Sequence, residues 1–224
     1  MTNLNEFFGD VLPKSPNYIL VRRNVFFSES QQRMAQGMVN IVAYENNLLK
    51  QVEYLFATNV SREQDIYYAT AGYDLPMQKA EQLIEAARDG DATKKKASRD
   101  YINKLRQTCY ITTRKCIYID IDRFKAVLPA DGLYEGRRVY HDMQDAIVDI
   151  RQAIKQFGLP KPTYVVFSGR GLHIYWALEE AIDQSDWRYI QMQMSMLFSQ
   201  HALIDVDMSV AKNDNGIMRI PTSY

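Results

Sequence analysis

Cys116-Ile117-Tyr118-Ile119-Asp120-Ile121-Asp122 is an apolar run that ends on two carboxylates. Its residues are apolar on both faces of an extended chain, which predicts a central strand covered on each side. Residues two apart on a strand project from the same face, so Asp120 and Asp122 point one way where the strand runs out. The flanking chain is regular. Met143, Ala146, Ile147, Ile150, Ile154 and Phe157 recur at helical spacing, and Gly158 followed by Pro160 stops that helix. Tyr164-Val165-Val166-Phe167 predicts a strand, Ser168-Gly169-Arg170-Gly171 a turn, and residues 172–178 a returning strand. Trp187, Ile190, Met194, Leu197 and Phe198 mark a second amphipathic helix, capped near Ser185, and residues 217–220 a last short strand before Pro221.

Strand, helix, strand, strand, helix, strand is the order of the split βαβ, or ferredoxin-like, unit, which RNA-recognition domains share. The first half reads as a smaller α/β layer. It has a short strand at 18–21 and a long helix at about 30–56. A strand follows in Asp65-Ile66-Tyr67-Tyr68-Ala69-Thr70-Ala71, closed by Gly72. A helical stretch from about 77 to 107 is broken at Asp89-Gly90-Asp91. The expected class is therefore α/β of the α+β kind. A ferredoxin-like, RRM-like βαββαβ unit at 111–224 is packed with an N-terminal α/β subdomain at 1–110 that carries a helical insertion. The two make a single domain across 1–224.

A chain of 224 residues with 46% hydrophobic content supports a core of that size. Its two cysteines, Cys109 and Cys116, make no disulfide framework and read as reduced thiols. Three histidines and no paired Cys-x-x-Cys argue against a structural zinc site. No apolar run approaches the roughly 20 residues needed to span a bilayer, and residues 1–10 lack a secretion signal. These features predict an intracellular, cytoplasmic protein with no membrane partner. The formal net charge is +0, so any surface for a polyanion must be local. The strongest candidate is Lys94, Lys95, Lys96, Arg99, Lys104, Arg106, Arg114 and Lys115, for which a solvated helix face is the plain alternative.

Three clusters carry chemistry. Asp120 and Asp122 form the first. Two carboxylates a few ångströms apart repel, and a divalent cation relieves that, whereas two solvated aspartates at a strand end need none. The hairpin Ser168-Gly169-Arg170-Gly171-Leu172-His173 is the second. Its glycines allow close backbone approach and its amides can form an anion nest, with Arg170 adding charge and Ser168 and His173 adding donors; an ordinary glycine hairpin is the alternative. The third pairs Asp205 and Asp207 with Arg219-Ile220-Pro221. Asp205 and Asp207 share a face if their segment is extended. Arg219 lies among apolar residues and needs a partner, either a bidentate phosphate or carboxylate or a salt bridge to a nearby aspartate. The predicted topology brings the three clusters to one cleft.

Together these motifs resemble the archaeo-eukaryotic primase superfamily, in particular the phage and plasmid primase-polymerases. Ile117-Tyr118-Ile119-Asp120-Ile121-Asp122 is similar to the first motif, residues 168–176 to the Ser-Gly-x-Gly-x-His turn and strand, and Asp207 with Arg219-Ile220-Pro221 to the third. Asp65-Ile66-Tyr67-Tyr68-Ala69 resembles the strand before the first motif. The resemblance spans residues from about 15 to the end. It implies a template-directed nucleotidyltransferase, a DNA primase or primase-polymerase acting in replication, of phage or plasmid origin. Asp120, Asp122 and Asp207 would hold two Mg2+ or Mn2+ ions, and Ser168, Arg170, His173 and Arg219 would bind nucleotide. The implied partners are a single-stranded DNA template, nucleoside triphosphates and a replicative helicase region or protein. Asp205 competes with Asp207 for the third ligand, and spacing to Arg219 favours Asp207. The family's Gly after Arg-x-Pro, and its later Asn and Lys, are not matched. Thr222 follows here and the chain stops at Tyr224, so a longer parent chain is expected. Two rivals remain: a metal-dependent Asp-x-Asp glycosyltransferase, and a non-catalytic RRM-like module stacking bases on Tyr118, Phe167 and Tyr175.

Overall fold

A computed structural model describes residues 3–28, 33–58, 65–121, 133–134, 137–140, 142–168 and 171–221. In chain order, α1 (Leu4–Val11) leads into the paired strands β1 (Asn17–Ser28) and β2 (Arg33–Tyr44). Then come α2 (Leu48–Thr58), β3 (Asp65–Ala69), α3 (Met77–Ala86) and α4 (Ala92–Asn103). The second half holds β4 (Arg114–Ile121), β5 (Leu133–Tyr134), β6 (Arg137–Arg138), α5 (Met143–Gln156), β7 (Tyr164–Phe167) and β8 (Leu172–Ile182). It closes with α6 (Gln184–Ser199), α7 (Met208–Lys212) and β9 (Ile217–Arg219). The class is α+β, with helices set against antiparallel sheets. No helix among the described residues is long and apolar enough to cross a membrane.

The chain divides into two compact units. Unit I comprises Met1–Val11, Arg114–Gly216 and Pro221–Tyr224; unit II comprises Leu12–Thr113 and Ile217–Ile220.

Unit II is built on the antiparallel sheet β2-β1-β3-β9. Its core includes Ile19, Val21, Ala69, Tyr73, Leu75, Ala80 and Leu105. The helix expected at about 30–56 is a strand followed by a helix. Helix-forming Met, Ala and Gln lie in β2, but β2 pairs with β1 over its whole length, from Asn17↔Tyr44 to Ser28↔Arg33. Non-local pairing there overrides local preference. The break at Asp89-Gly90-Asp91 is as expected. Gly90 takes φ +91°, which favours glycine, and the Asp91 carboxylate caps α4 by accepting from the Thr93 and Lys94 amides at 2.8 and 2.9 Å.

Unit I is built on the sheet β4-β8-β7. Here the strand–helix–strand–strand–helix order is present, but the sixth element departs from the ferredoxin-like pattern. Residues 217–219 form β9 and pair with β3 in the other sheet, Tyr67↔Arg219 and Ala69↔Ile217. β4 is therefore an edge strand and not a central one. It is buried nonetheless because side chains and a loop amide, in place of a strand, satisfy its open edge. Trp187 Nε1 donates to the Cys116 carbonyl at 2.9 Å. The Gln191 amide brackets Tyr118, accepting from its N–H at 3.1 Å and donating to its carbonyl at 2.5 Å. The Asp207 N–H then donates to the Asp120 carbonyl at 2.9 Å. Buried backbone groups need such partners, and α6 supplies most of them. That helix is capped by Asp183, two residues earlier than the Ser185 expected, through a 2.9 Å bond from the Asp186 amide.

Arg114, expected on a basic face, is fully buried in unit I. It stacks on Trp187 at 4.1 Å, and donates to Gln184 Oε1 at 2.9 Å and to the Asp214 carbonyl. Its neighbour Lys115 donates to the Gly9 carbonyl at 2.8 Å. Both cations serve packing in unit I.

Candidate active site

The register β4↔β8 sets Asp120 directly opposite His173, and β8↔β7 sets His173 opposite Val166. Tyr118 and Tyr175 form the next pair, and because side chains alternate along a strand, they share the face of Asp120 and His173. That face is lined deep in the sheet by aromatic rings. Phe7 of α1 meets Tyr164 and Tyr175 edge-on at 5.2 and 5.4 Å, and Tyr118 lies 5.9 Å from Trp187. Asp120 and His173 sit at the end of this apolar floor.

His173 Nε2 lies 3.7 Å from Asp120 Oδ1, with the two side chains 7% and 16% exposed. The other ring nitrogen, Nδ1, faces the Tyr175 hydroxyl at 3.4 Å. If the phenol donates to Nδ1, the proton is left on Nε2, facing the carboxylate. Tyr175 is thereby a candidate for positioning His173, a role other than the base stacking that the sequence suggested for it.

Ser168 closes the β7–β8 turn. Its amide donates to the Gly171 carbonyl at 2.9 Å, and its hydroxyl accepts from the Gly171 amide at 3.1 Å. The side chain is thereby held to the turn it shapes. Gly169 and Arg170, the two central residues, lie outside the described residues, as does Asp122.

Asp207 joins this group through its backbone bond to Asp120, although the segment around it is not an extended strand. It is the cap of α7: its Oδ1 accepts from the Ser209 amide at 2.8 Å and the Ser209 hydroxyl at 2.6 Å. Both bonds use Oδ1, which leaves Oδ2 as the oxygen for a further ligand. Asp120 and Asp207 supply hard carboxylate oxygens, the donors that magnesium and manganese prefer. Among the described residues no group of three or more His, Cys, Asp or Glu is placed to hold a metal ion. The expected third ligand, Asp122, falls outside them.

Arg219 belongs to unit II, where its guanidinium meets a carboxylate far away in the sequence. Nη2 pairs with Asp65 Oδ2 at 3.0 Å, and the guanidinium lies 5.7 Å from the Tyr67 ring centre. The Tyr67 hydroxyl donates to the same Asp65 oxygen at 3.1 Å, and Arg23 approaches it at 3.8 Å. β1, β3 and β9 bring these four residues together, so sequence proximity could not have found the pair.

Tyr118 and Tyr175 are fully buried, which removes two of the three aromatics that a base-stacking module would have used. Phe167 remains 40% exposed, but it alternates onto the opposite face of the sheet.

No protein-family model matches the chain, and no curated protein sequence does. Among solved structures, the AEP domain of a cyanophage S-2L primase-polymerase aligns with it at a TM-score of 0.43 and 12% identity, covering 89% of this chain and 71% of that one. A likeness that distant carries no argument, and the residues above must supply it.

Proposed function

We propose that this chain is a template-directed nucleotidyltransferase of the primase-polymerase kind. The reading is supported chiefly by the 2.9 Å bond from the Asp207 amide to the Asp120 carbonyl, which joins two acidic segments far apart in the chain. The hairpin that carries His173 pairs with the Asp120 strand in the same sheet.

In this reading Asp120, Asp122 and Asp207 hold two Mg2+ or Mn2+ ions, which would activate a 3′-hydroxyl and offset charge on the triphosphate and its leaving pyrophosphate. Asp120 is fixed at its backbone by β8 on one side and by Asp207 on the other. Asp207 offers Oδ2 while Oδ1 stays on Ser209. His173, oriented by Tyr175, donates from Nε2 to a phosphoryl oxygen. Ser168 shapes the turn whose amides, with Arg170, approach the phosphate chain. Arg219, in unit II, is held by Asp65. Single-stranded template and nucleoside triphosphates are the substrates, and pairing with the incoming base supplies the sequence information.

Asp120→Ala combined with Asp122→Ala should abolish synthesis on a single-stranded template, read by sizing products on a gel, while the circular dichroism spectrum stays that of the parent. The loss should exceed the roughly 100-fold that follows removal of a group merely supporting a metal ligand. Undiminished product from the double variant would refute the proposal. Product made equally without any divalent ion would refute it too.

A further inference from the structure

Unit II contains a groove whose charge the reading above does not use. It has a volume of about 330 Å³ and is lined by residues of β1, β2, α3 and α4 and the turn after α3, among them Arg22, Lys95, Arg99, Ile84, Ala87 and Ile102. Three of the described lining residues are cations, and none of those described is Asp or Glu. Lys95, Ser98, Arg99 and Ile102 fall at the i, i+3, i+4, i+7 spacing of one helix face, so α4 turns a single stripe toward the groove. Of the neighbouring lysines, Lys94 is drawn to Asp89 at 2.5 Å and is not part of the lining. Among the described residues the Arg22 Nε is buried with no hydrogen-bond partner. A guanidinium nitrogen so placed, where no described lining residue is a carboxylate, is costly unless an anion reaches it.

The rest of the lining is aliphatic, and Ile84 is 42% exposed. A ligand that matches both features carries regularly spaced negative charge and apolar surface between the charges. Single-stranded nucleic acid has that pattern, with a phosphate at each nucleotide and unpaired sugar and base faces between. A duplex would offer the phosphates but keep its base faces stacked away. The volume is at the small end of ligand clefts, which suits a local grip on a passing strand better than enclosure of a free ligand. No aromatic ring is among the described lining residues, so the grip is led by phosphate and tolerant of sequence.

We infer that Arg22, Lys95 and Arg99 form a single-strand-binding groove in unit II, one that holds the phosphate backbone of the template. The inference rests on the template-directed reading above and deepens it. Of the basic residues from 94 to 115, it selects only two, and adds Arg22, which no motif had marked.

The test is equilibrium binding of a fluorescent oligothymidylate to the full chain across a salt series, with neither metal nor nucleotide present. Each neutralised phosphate of a single strand contributes about 0.7 to the slope of log K against log salt. The Lys95→Gln, Arg99→Gln double variant changes two exposed side chains and should lower that slope by about 1.4. Adding Arg22→Gln should lower it by about 2 in total and weaken low-salt binding at least about tenfold. Lys96→Gln, on the same helix and outside the lining, should leave both readouts unchanged. An unaltered slope in the folded double variant would overturn the inference, as would a parent chain that binds anionic vesicles and not oligothymidylate. Strand binding is read without synthesis, so its failure is distinguishable from failure at Asp120.

Discussion

Asp149 is 2% exposed on α5, yet it carries an ionic group. Arg138 Nη1 donates to both of its oxygens at 3.2 Å and the Tyr140 hydroxyl to one at 2.9 Å. Burial and this carboxylate together push the Tyr140 phenol far above its ordinary range. Asp149→Ala would strand a buried hydroxyl and a half-buried guanidinium, for a loss of about 3 kcal/mol in urea unfolding. A loss below about 1 kcal/mol would mean that water already satisfies these groups. Cys116 makes a second residue-level prediction. Burial pushes its thiol up to about 12 from 9.0, with Arg114 pulling weakly the other way. The unfolded chain gives up that proton first, so stability is intact below about pH 9. It falls by about 1.4 kcal/mol per pH unit toward 12. Urea unfolding at about pH 8 and pH 10 should show this drop, and Cys116→Ala should reduce it even though the variant is less stable overall. In the folded protein an alkylating reagent should label exposed Cys109 and spare Cys116.

Among elements, the edge of β4 shows what could be read from the sequence and what could not. The apolar run up to Asp120 was legible, as was the helix of Ala146, Ile147, Ile150 and Ile154 with its stop at Gly158. That β4 is an edge strand was not legible, because a strand buried by a helix and a strand buried by its neighbours have the same composition. β2 was misread because pairing with β1 outweighs the helical preference of Met, Ala and Gln. At the site, the hairpin that carries His173 was legible from its tight turn, but its register against Asp120 was not, because β4 and β8 are far apart in the chain. The pairing of Arg219 with Asp65 needed β3 and β9, far apart in the chain, to come together, and the burial of Arg114 needed Trp187. Gln191→Leu tests the edge. It keeps the bulk in α6 but leaves the Tyr118 N–H and carbonyl unpaired, at about 1–3 kcal/mol for each group. A cost near zero would show that the amide is incidental. Asp207→Asn separates two roles on one short helix. An amide oxygen can still cap α7, so melting should shift little. Asp207→Ala should lose about 1 kcal/mol with the cap. Both should lose nucleotide incorporation if the carboxylate charge is what the site requires.

On the scale of the whole chain, order in sequence and order in space differ at both ends. Residues 217–220 belong with unit II, and α1, the first helix of the chain, belongs with unit I. α1 earns its place there through Phe7, 0% exposed and packed edge-on against Tyr164 and Tyr175, while the Tyr164 hydroxyl donates to Asp10 at 2.6 Å. Tyr175 in turn faces His173, so an N-terminal aromatic ring supports a group placed far along the chain at the candidate site. Phe7→Ala would open a cavity under that face at about 3–5 kcal/mol. Local opening should then rise in the unit that lost the ring. Hydrogen exchange should accelerate across β4, β7 and β8 while β1 and β3 keep the parent's rates. The imidazole resonance of His173 should broaden or shift as Tyr175 loses its support. Equal acceleration in both sheets would mean that α1 stabilises the chain in general. An unchanged His173 resonance would mean that the aromatic floor does not position the histidine.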